Sequence, residues 1–157
     1  MRTPQEVAEV NDLLRRLTRS TGKMRTGIGA GREDVNVSVT GGTRIEIKGV
    51  SKITTIPLLT YNEAMRQWNL LKLREELHRR GITEDTFQAK VDDVTKILRK
   101  TRYQPIYNAI YEGKLVYCVT LRNFKNLLRW QTQTDTYFSK EISDRVRVIA
   151  CLTTLPN

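Results

Sequence analysis

Residues 25–50 read RTGIGAGREDVNVSVTGGTRIEIKGV and contain the clearest pattern in this chain of 157 residues. Within residues 34–39 three valines alternate with polar residues, and within residues 44–48 two isoleucines alternate with charged ones. This period of two predicts a pair of half-buried β-strands. Residues 40–43, Thr-Gly-Gly-Thr, are typical of a turn, so the stretch predicts a β-hairpin.

The apolar pattern also predicts the register of this hairpin. Directly opposed side chains of an antiparallel pair lie on one face, and a slip of one residue turns every side chain over. A three-residue loop containing glycine is therefore predicted, with Val39 opposite Ile45 and Val37 opposite Ile47. One face is then aliphatic. The other face gathers the polar residues Asp34, Asn36, Ser38, Arg44, Glu46 and Lys48.

Two interpretations of this polar face remain open. Two carboxylates among an amide, a hydroxyl and two cations could hold Mg²⁺ and phosphate, because that ion prefers carboxylate and phosphate oxygen. Antiparallel sheets also commonly have one wet face. The alternative is therefore a solvated strand face with cross-strand ion pairs.

Several phrases in and around the hairpin resemble a known family. They are STG at 20–22, Arg25, GIG at 27–29, REDVNVS at 32–38 and RIEIKGV at 44–50. In sequence and spacing these phrases resemble GatE, the archaeal-type component of glutamyl-tRNA(Gln) amidotransferase, and more distantly its bacterial relative, GatB. The phrases Arg66-Gln67 and DVT at 93–95 follow in the same order as in that family.

The resemblance implies an ATP-dependent reaction on misacylated Glu-tRNA(Gln), with ATP and Mg²⁺ as cofactors. A separate asparaginase-like amidase subunit would supply ammonia. Phosphoryl transfer needs charge neutralisation around the phosphoryl oxygens. Asp34 and Glu46 are therefore the expected metal ligands and catalytic residues, together with Asn36, which would orient a metal-bound water or the substrate. The cations expected to bind phosphate are Arg32, Arg44 and Lys48.

Charge favours RNA as a partner. The chain has 27 Lys and Arg against 17 Asp and Glu, a net charge of +10, which favours a polyanion. Simple solubility, or the surface of a heat-adapted protein, is the alternative. A basic and aromatic cluster expected to bind RNA comprises Arg122, Lys125, Arg129 and Trp130. A loop with one anchoring tryptophan is the alternative for that cluster.

Several classes of function are excluded by composition. No run approaches the roughly 18 apolar residues of a membrane span, and the N-terminus has no apolar signal region, so a cytoplasmic protein without membrane contact is expected. Cys118 and Cys151 are expected to be two buried free thiols. His78 is the only histidine and is expected on a helix surface, which excludes a histidine-based triad or a two-histidine metal site.

The remaining elements follow from caps and periodicity. A capping box at 3–6 predicts the start of a helix that ends near 19–22. A second capping box at 60–63 predicts the start of a helix that ends at Gly81. The Trp68 side of this second helix is expected to pack on the valine face of the hairpin. Residues 51–59, interrupted by Pro57, are predicted to form a short edge strand or an extended connection, and residues 114–121 are predicted to form a buried strand. Helical segments are predicted at 84–90, 92–99, 104–112 and 139–150, the last capped by Ser139.

The predicted fold class is α+β in two pieces. Residues 1–95 would be the later part of the family's catalytic domain, with helices on the aliphatic face of the hairpin. Residues 96–157 would begin an inserted α+β module shared with bacterial aspartyl-tRNA synthetases, ending at 155–157 before its next strand. A partial gene product or a shortened relative is therefore expected.

Three functional consequences are considered. An incomplete first piece would leave apolar surface exposed, which predicts a homodimer or another partner. The main functional hypothesis is a part of the amidotransferase. The alternatives are a noncatalytic tRNA- or subunit-binding fragment that lacks a complete active site and, more remotely, a stand-alone domain of unrelated function.

Overall fold

The computed structural model describes residues 1–27 and 29–152. Ile28 of the GIG phrase, and residues 155–157 at which the chain was expected to stop before another strand, lie outside the described residues. The α-helices are α1 (Pro4–Ser20), α2 (Ile56–Arg79), α3 (Gln104–Tyr111) and α4 (Phe138–Ile149). The strands are β1 (Glu33–Val37), β2 (Ile45–Val50), β3 (Ala89–Asp93), β4 (Tyr117–Leu121), β5 (Gln131–Gln133) and β6 (Thr136–Tyr137).

The strands pair antiparallel as β1 with β2, β3 with β4, and β5 with β6, which gives two-stranded sheets. Helices and short antiparallel pairs together confirm the predicted α+β class. Short 3₁₀ helices lie at Ile53–Thr55, Ile97–Lys100 and Leu127–Arg129. Within residues 1–27 and 29–152, no helix is both long enough and apolar enough to cross a membrane.

The chain divides into two compact units. The first unit comprises Met1–Glu75 and Leu127–Asn157, as far as these residues are described, and the second comprises Glu76–Asn126. These boundaries differ from the one predicted at residue 95. That boundary concerned the domains of the family, and it stays a prediction.

The core of the first unit lies under the hairpin. Val35 and Val37 of β1 are buried with Val50 of β2 and Ile56 at the start of α2. Val7 and Ala8 of α1 and Leu59 and Ala64 of α2 are partly buried residues that pack against this cluster. Alternate residues of β1 therefore face the helices, as the sequence predicted. Trp68 was expected to belong to this packing, but its side chain is 47% exposed.

The predicted register of the hairpin is wrong by two residues. Val37 lies opposite Ile45, and Val35 lies opposite Ile47, so the connection between the strands spans residues 38–44. A shift of two residues leaves every side chain on its predicted face, because the period of a strand is two. The faces are therefore as predicted, while the three-residue loop is not formed.

Gln67 of α2 explains the longer connection. Its Nε2 donates a hydrogen bond to the Val37 carbonyl at 3.0 Å, and its Oε1 accepts one from the Val39 N–H at 3.1 Å. This buried carboxamide bonds backbone groups just where β1 ends. A Cβ atom on Gly42 would lie 2.8 Å from the same Oε1, so glycine is needed for this close approach.

The two long helices differ in how well their starts were predicted. Thr3 caps α1, because its Oγ1 accepts a hydrogen bond from the Glu6 N–H at 3.2 Å, as predicted. In contrast, α2 begins at Ile56 rather than at residue 61, and residues 53–59 form no strand. Pro57 lies in the first turn of α2, where its missing N–H leaves no helical hydrogen bond unmade. The end of α2 before Gly81, which has φ +71°, is as predicted.

In the second unit the sequence missed a strand. No α-helix forms where helical segments were predicted at 84–90 and 92–99. Residues 89–93 instead form β3 and pair with β4 in register Val91 to Val119. The segment AKVDD has one large apolar residue, so no alternation revealed it. The strand predicted at 114–121 is present from Tyr117, but four of its five residues are exposed rather than buried. The short helix predicted at 104–112 is confirmed as α3.

Three further predictions have clear outcomes. Cys118 and Cys151 are free thiols, but both are exposed, so the prediction of buried thiols is wrong. His78 is exposed on α2, as predicted. The helix expected at 139–150 is α4, yet no side chain caps it; it starts at Phe138, and the backbone of Tyr137 occupies the cap position that Ser139 was predicted to fill.

The end of α2 gives a pH prediction. Glu76 accepts hydrogen bonds from Arg79 at 2.7 Å and from Arg80 at 2.6 Å, and these lower the pKa of Glu76 to about 2. A folded pKa below the ordinary value of 4.5 stabilises the folded state above that pH, and this stabilisation is lost as the pH falls towards 2. In urea unfolding followed by circular dichroism, Glu76→Gln should show less loss of stability than the parent between pH 4.5 and 2.

The matched control is Glu75→Gln, which removes an adjacent carboxylate that forms no ion pair within the described residues. We expect the control to keep the acid dependence of the parent. Equal acid dependence in Glu76→Gln and the parent would contradict this assignment.

Candidate functional site

The exposed face of the hairpin brings two carboxylates to one ammonium group. Lys48 Nζ lies 3.0 Å from Glu46 Oε2 and 3.8 Å from Asp34 Oδ2. The hydrogen bond with Glu46, with the charges of Glu46 and Asp34, raises the pKa of Lys48. Three residues of the predicted polar face therefore meet at Lys48: the ion pair with Asp34 joins the two strands, and the pair with Glu46 lies within β2.

Asp34 is positioned by an irregularity in β1. The register shifts between Glu33 and Val35, and Asp34 Oδ1 accepts a hydrogen bond from the Gly49 N–H at 2.8 Å. Gly49 has φ +71°, a conformation that favours glycine. This backbone contact with the carboxylate was not predicted, although a glycine inside a strand pattern is a known signal for a bulge.

The neighbouring residue of β1 is anchored on the other side of the strand. Arg15 of α1 forms a bidentate ion pair with Glu33, and the hydrogen bonds that it donates to this carboxylate raise the pKa of Arg15. Arg15 also donates to the Ser51 carbonyl at 2.9 Å. Both ends of the hairpin near Asp34 are thereby tied to α1.

The other predicted site residues differ in how they are held. Asn36 lies opposite Glu46 in the pairing of β1 with β2, and it is exposed. Arg32 and Arg44 each lie outside the strands, and neither forms a hydrogen bond or an ion pair with another described residue. Two unpaired guanidinium groups on this hairpin are thus available to an anion.

The carboxylates of the hairpin could supply some, but not all, of the ligands of a metal ion. Among residues 1–27 and 29–152, no group of three or more His, Cys, Asp or Glu side chains is placed to hold a metal ion. Mg²⁺ in nucleotide sites is commonly bound by one or two carboxylates, with water and phosphate completing the octahedron. Asp34 and Glu46 fit that pattern as a pair of carboxylates that already share one cation, Lys48.

A groove borders this cluster. It has a volume of about 880 Å³ and is lined by residues of α1, β1 and α2, including Asp34 and Asn36. Its apolar lining includes Val10, Leu14 and Trp68. A volume of this size lies within the range of small-molecule sites, which combine apolar walls with a few polar groups.

The four residues predicted to bind RNA are divided between the two units. Arg122 and Lys125 belong to the second, where Arg122 donates to Gln88 Oε1 at 2.9 Å. Arg129 and Trp130 belong to the first. The indole of Trp130 is partly buried and donates its N–H to the Asn69 carbonyl at 3.1 Å. This contact favours the alternative in which Trp130 anchors its loop.

Comparison with known proteins shows a matching family and several similar sequences. The family model described as the GatB/GatE catalytic domain matches residues 1–125. The chain is 42% identical over 155 residues to the E-type subunit of glutamyl-tRNA(Gln) amidotransferase from Saccharolobus solfataricus. It is 36% identical over 144 residues to the corresponding protein of Pyrococcus furiosus, and 34% identical over 154 residues to that of Sulfurisphaera tokodaii.

These alignments cover almost the whole chain but a small part of each relative. They include 97%, 92% and 97% of this chain, yet only 24%, 23% and 24% of the three relatives. The chain therefore spans about a quarter of the length of the curated relatives that it matches.

Proposed function

The chain belongs to the GatB/GatE catalytic-domain family, and from this we propose that it forms part of a tRNA-dependent amidotransferase. The overall reaction would convert Glu-tRNA(Gln) into Gln-tRNA(Gln). A carboxylate oxygen of the glutamyl side chain attacks the γ-phosphorus of ATP, and ADP leaves. Ammonia then attacks the acyl carbon, phosphate departs, and the amide remains after ammonia loses a proton.

The residues of the hairpin would serve the first step through their charges. Arg32 and Arg44 would bind phosphate oxygens, because both are unpaired within the described residues. Lys48 would neutralise part of the negative charge of the same phosphate. Cations placed around a transferring phosphoryl group stabilise the negative charge of its transition state.

Asp34 and Glu46 would hold Mg²⁺, and Asn36 would orient a bound water or the substrate. When bound, this ion supplies charge neutralisation at phosphate oxygens. The Gly49 N–H would keep the Asp34 carboxylate in place on the bulge. The groove lined by Asp34, Asn36 and the apolar residues of α1 and α2 would accommodate the nucleotide.

The observation that carries this proposal is the meeting of Asp34, Glu46 and Lys48 within the residues that match the family model. The partners proposed with it are Glu-tRNA(Gln) and an amidase subunit that releases ammonia. A homodimer through the exposed apolar side chains of α1, such as Leu13 and Leu17, also remains a prediction.

Calorimetric titration with Mg-ATP tests the proposal. Asp34→Asn removes the charge but keeps an oxygen for the Gly49 N–H, so the bulge should persist. Its affinity for Mg-ATP should fall about tenfold or more, because contacts with a charged group contribute about 1.5–3 kcal/mol. Asp34→Ala should lose at least as much.

Asp92→Asn is the matched control, because Asp92 is also a strand carboxylate paired with a lysine, Lys90, at 2.8 Å. We expect the control to bind Mg-ATP like the parent. Unchanged affinity in Asp34→Asn would count directly against Asp34 as a ligand. If the parent itself binds no Mg-ATP, the alternative function below is favoured.

The alternative is a noncatalytic fragment that binds tRNA or another protein of the complex. It is favoured by the net charge of +10 and by the lack, within the described residues, of a cluster of three or more metal-binding side chains. Binding of tRNA that weakens steeply with salt, and does not respond to ATP, would support it.

A further inference from the structure

The face of α3 presents an exposed row of aromatic rings, the tyrosine strip, formed by Tyr103, Tyr107 and Tyr111. The three follow each other at intervals of four residues, a spacing that places side chains on one helix face. Their side chains are 49%, 46% and 83% exposed. The rings of Tyr107 and Tyr111 are nearly parallel, with 14° between their planes and 6.4 Å between their centres.

Unpaired cations adjoin this strip in sequence. The cationic turn, defined as Arg99, Lys100 and Arg102, comes directly before Tyr103. All three side chains are exposed, and within the described residues none of them forms a side-chain hydrogen bond or an ion pair. The 3₁₀ helix Ile97–Lys100, which carries two of them, packs against α3.

Several other basic residues of the same unit, unlike those of the cationic turn, are paired with carboxylates. Lys90 is paired with Asp92, Lys114 with Glu112, and both Arg79 and Arg80 with Glu76. Residues 94–111 contain four Lys and Arg and no Asp or Glu. The charges of the cationic turn are therefore not balanced by neighbours along the chain.

We propose that the tyrosine strip and the cationic turn bind unpaired nucleotides of RNA. Bases would stack on the exposed rings, and the three cations would contact the phosphates that link these bases. Every base has an aromatic face, so a row of rings beside a cationic segment recognises single strands with little sequence preference. A protein partner would need acidic groups opposite the turn, and it is favoured if the parent binds none of the RNA probes.

This inference extends the proposed function, because it names a surface that would contact the RNA substrate. It does not depend on ATP binding at the hairpin. Loss of Mg-ATP affinity in Asp34→Asn would support the catalytic proposal alone, whereas the RNA measurements below compare variants of the second unit with controls in the first.

Fluorescence anisotropy of labelled RNA with the full chain tests this surface. The probes are a 12-nucleotide oligouridylate, a 12-nucleotide oligoadenylate, a 12-base-pair RNA duplex and unfractionated tRNA. Tyr107→Leu/Tyr111→Leu should bind both single strands about tenfold or more weakly than the parent, because stacking on each ring is lost. Tyr107→Phe/Tyr111→Phe should retain binding, because both rings remain.

The charge contribution is measured separately from stacking. Arg99→Ala/Arg102→Ala should reduce the slope of log affinity against log salt by about 0.7 for each lost phosphate contact. Tyr137→Leu and Arg19→Ala are matched controls, because both replace exposed residues of the first unit. Thermal unfolding of each variant verifies that it is folded.

Single-strand binding that falls in the leucine variant and persists in the phenylalanine variant supports the proposal. If only tRNA binding depends on the tyrosine rings, the unpaired nucleotides of tRNA are the ligand. If binding of the oligonucleotides depends on the rings equally, any unpaired RNA is the ligand. The proposal is overturned if the parent binds none of the probes, if the duplex binds as tightly as the single strands, or if Tyr137→Leu loses as much affinity as the double variant.

Discussion

Ile56→Ala should lower the free energy of unfolding of the first unit by about 3 kcal/mol, within the range of about 2–5 kcal/mol found for removal of a buried isoleucine side chain. Ile56 is 0% exposed and belongs to the buried cluster with Val35, Val37 and Val50. Since a domain is stable by only about 5–15 kcal/mol, a large share of its stability would be lost.

Urea unfolding followed by tryptophan fluorescence measures this effect, because both tryptophans, Trp68 and Trp130, belong to the first unit. Leu58→Ala is the matched control two residues along the same helix, with a side chain that is 64% exposed. The control should change the free energy of unfolding by no more than about 0.5 kcal/mol. Similar losses for the two variants would show that Ile56 is not at the centre of the core.

Arg66→Met should destabilise the first unit by about 2–4 kcal/mol, because it leaves two partly buried carboxylates without their cation. Arg66 Nε donates to Glu141 Oε1 at 2.8 Å, and its Nη1 donates to Glu63 Oε1 at 3.4 Å. The hydrogen bond with Glu141 raises the pKa of Arg66 against the opposing effect of burial. Methionine keeps most of the apolar stem, so the change reports chiefly on the charge.

The size of this effect follows from the network around Arg66. Glu141 Oε1 also accepts a hydrogen bond from the hydroxyl of Thr132, which is fully buried. Glu63 Oε1 accepts one from Gln67 Nε2 at 2.9 Å, and Gln67 in turn bonds the end of β1. Loss of Arg66 therefore affects α4, α2 and the hairpin together.

Arg16→Met is the matched control for Arg66→Met. Arg16 pairs with Asp12 on α1 at 2.6 Å, but both side chains are largely exposed. Exposed ion pairs contribute at most about 1 kcal/mol. A midpoint of urea unfolding that falls no further for Arg66→Met than for Arg16→Met would contradict the importance of the network.

The Arg66-Gln67 phrase illustrates how a family resemblance and a structure complement each other. The resemblance by itself gives the phrase no role. In the structure Arg66 holds α4 through Glu141, and Gln67 holds the backbone of the hairpin. Both residues therefore act as supports for the hairpin and its surroundings.

The amino-acid sequence alone determined those features that depend on neighbours along the chain. The alternation in β1 and β2 determined which residues face the core, because side chains of a strand alternate in direction. The Thr3 cap and Gly81 determined the start of α1 and the end of α2, because each satisfies backbone groups a few residues away. The family resemblance likewise rested on contiguous phrases, and the match over residues 1–125 agrees with it.

Only the tertiary structure decided features that depend on residues far apart in sequence. Gln67, about 30 residues from β1 in sequence, bonds the backbone where that strand ends and so fixes the register of the hairpin. The resulting shift of two residues leaves the alternation of faces unchanged. Pairing with β4 made a strand of residues 89–93, whose own sequence has no strand pattern. The number of charged residues is given by the sequence, but their pairing is not. Folding places Lys48 between two carboxylates and leaves Arg99 without an ion pair within the described residues. The physical reason is that local caps and side-chain direction act over a few residues, whereas register, pairing and exposure are settled by contacts that form when distant segments pack.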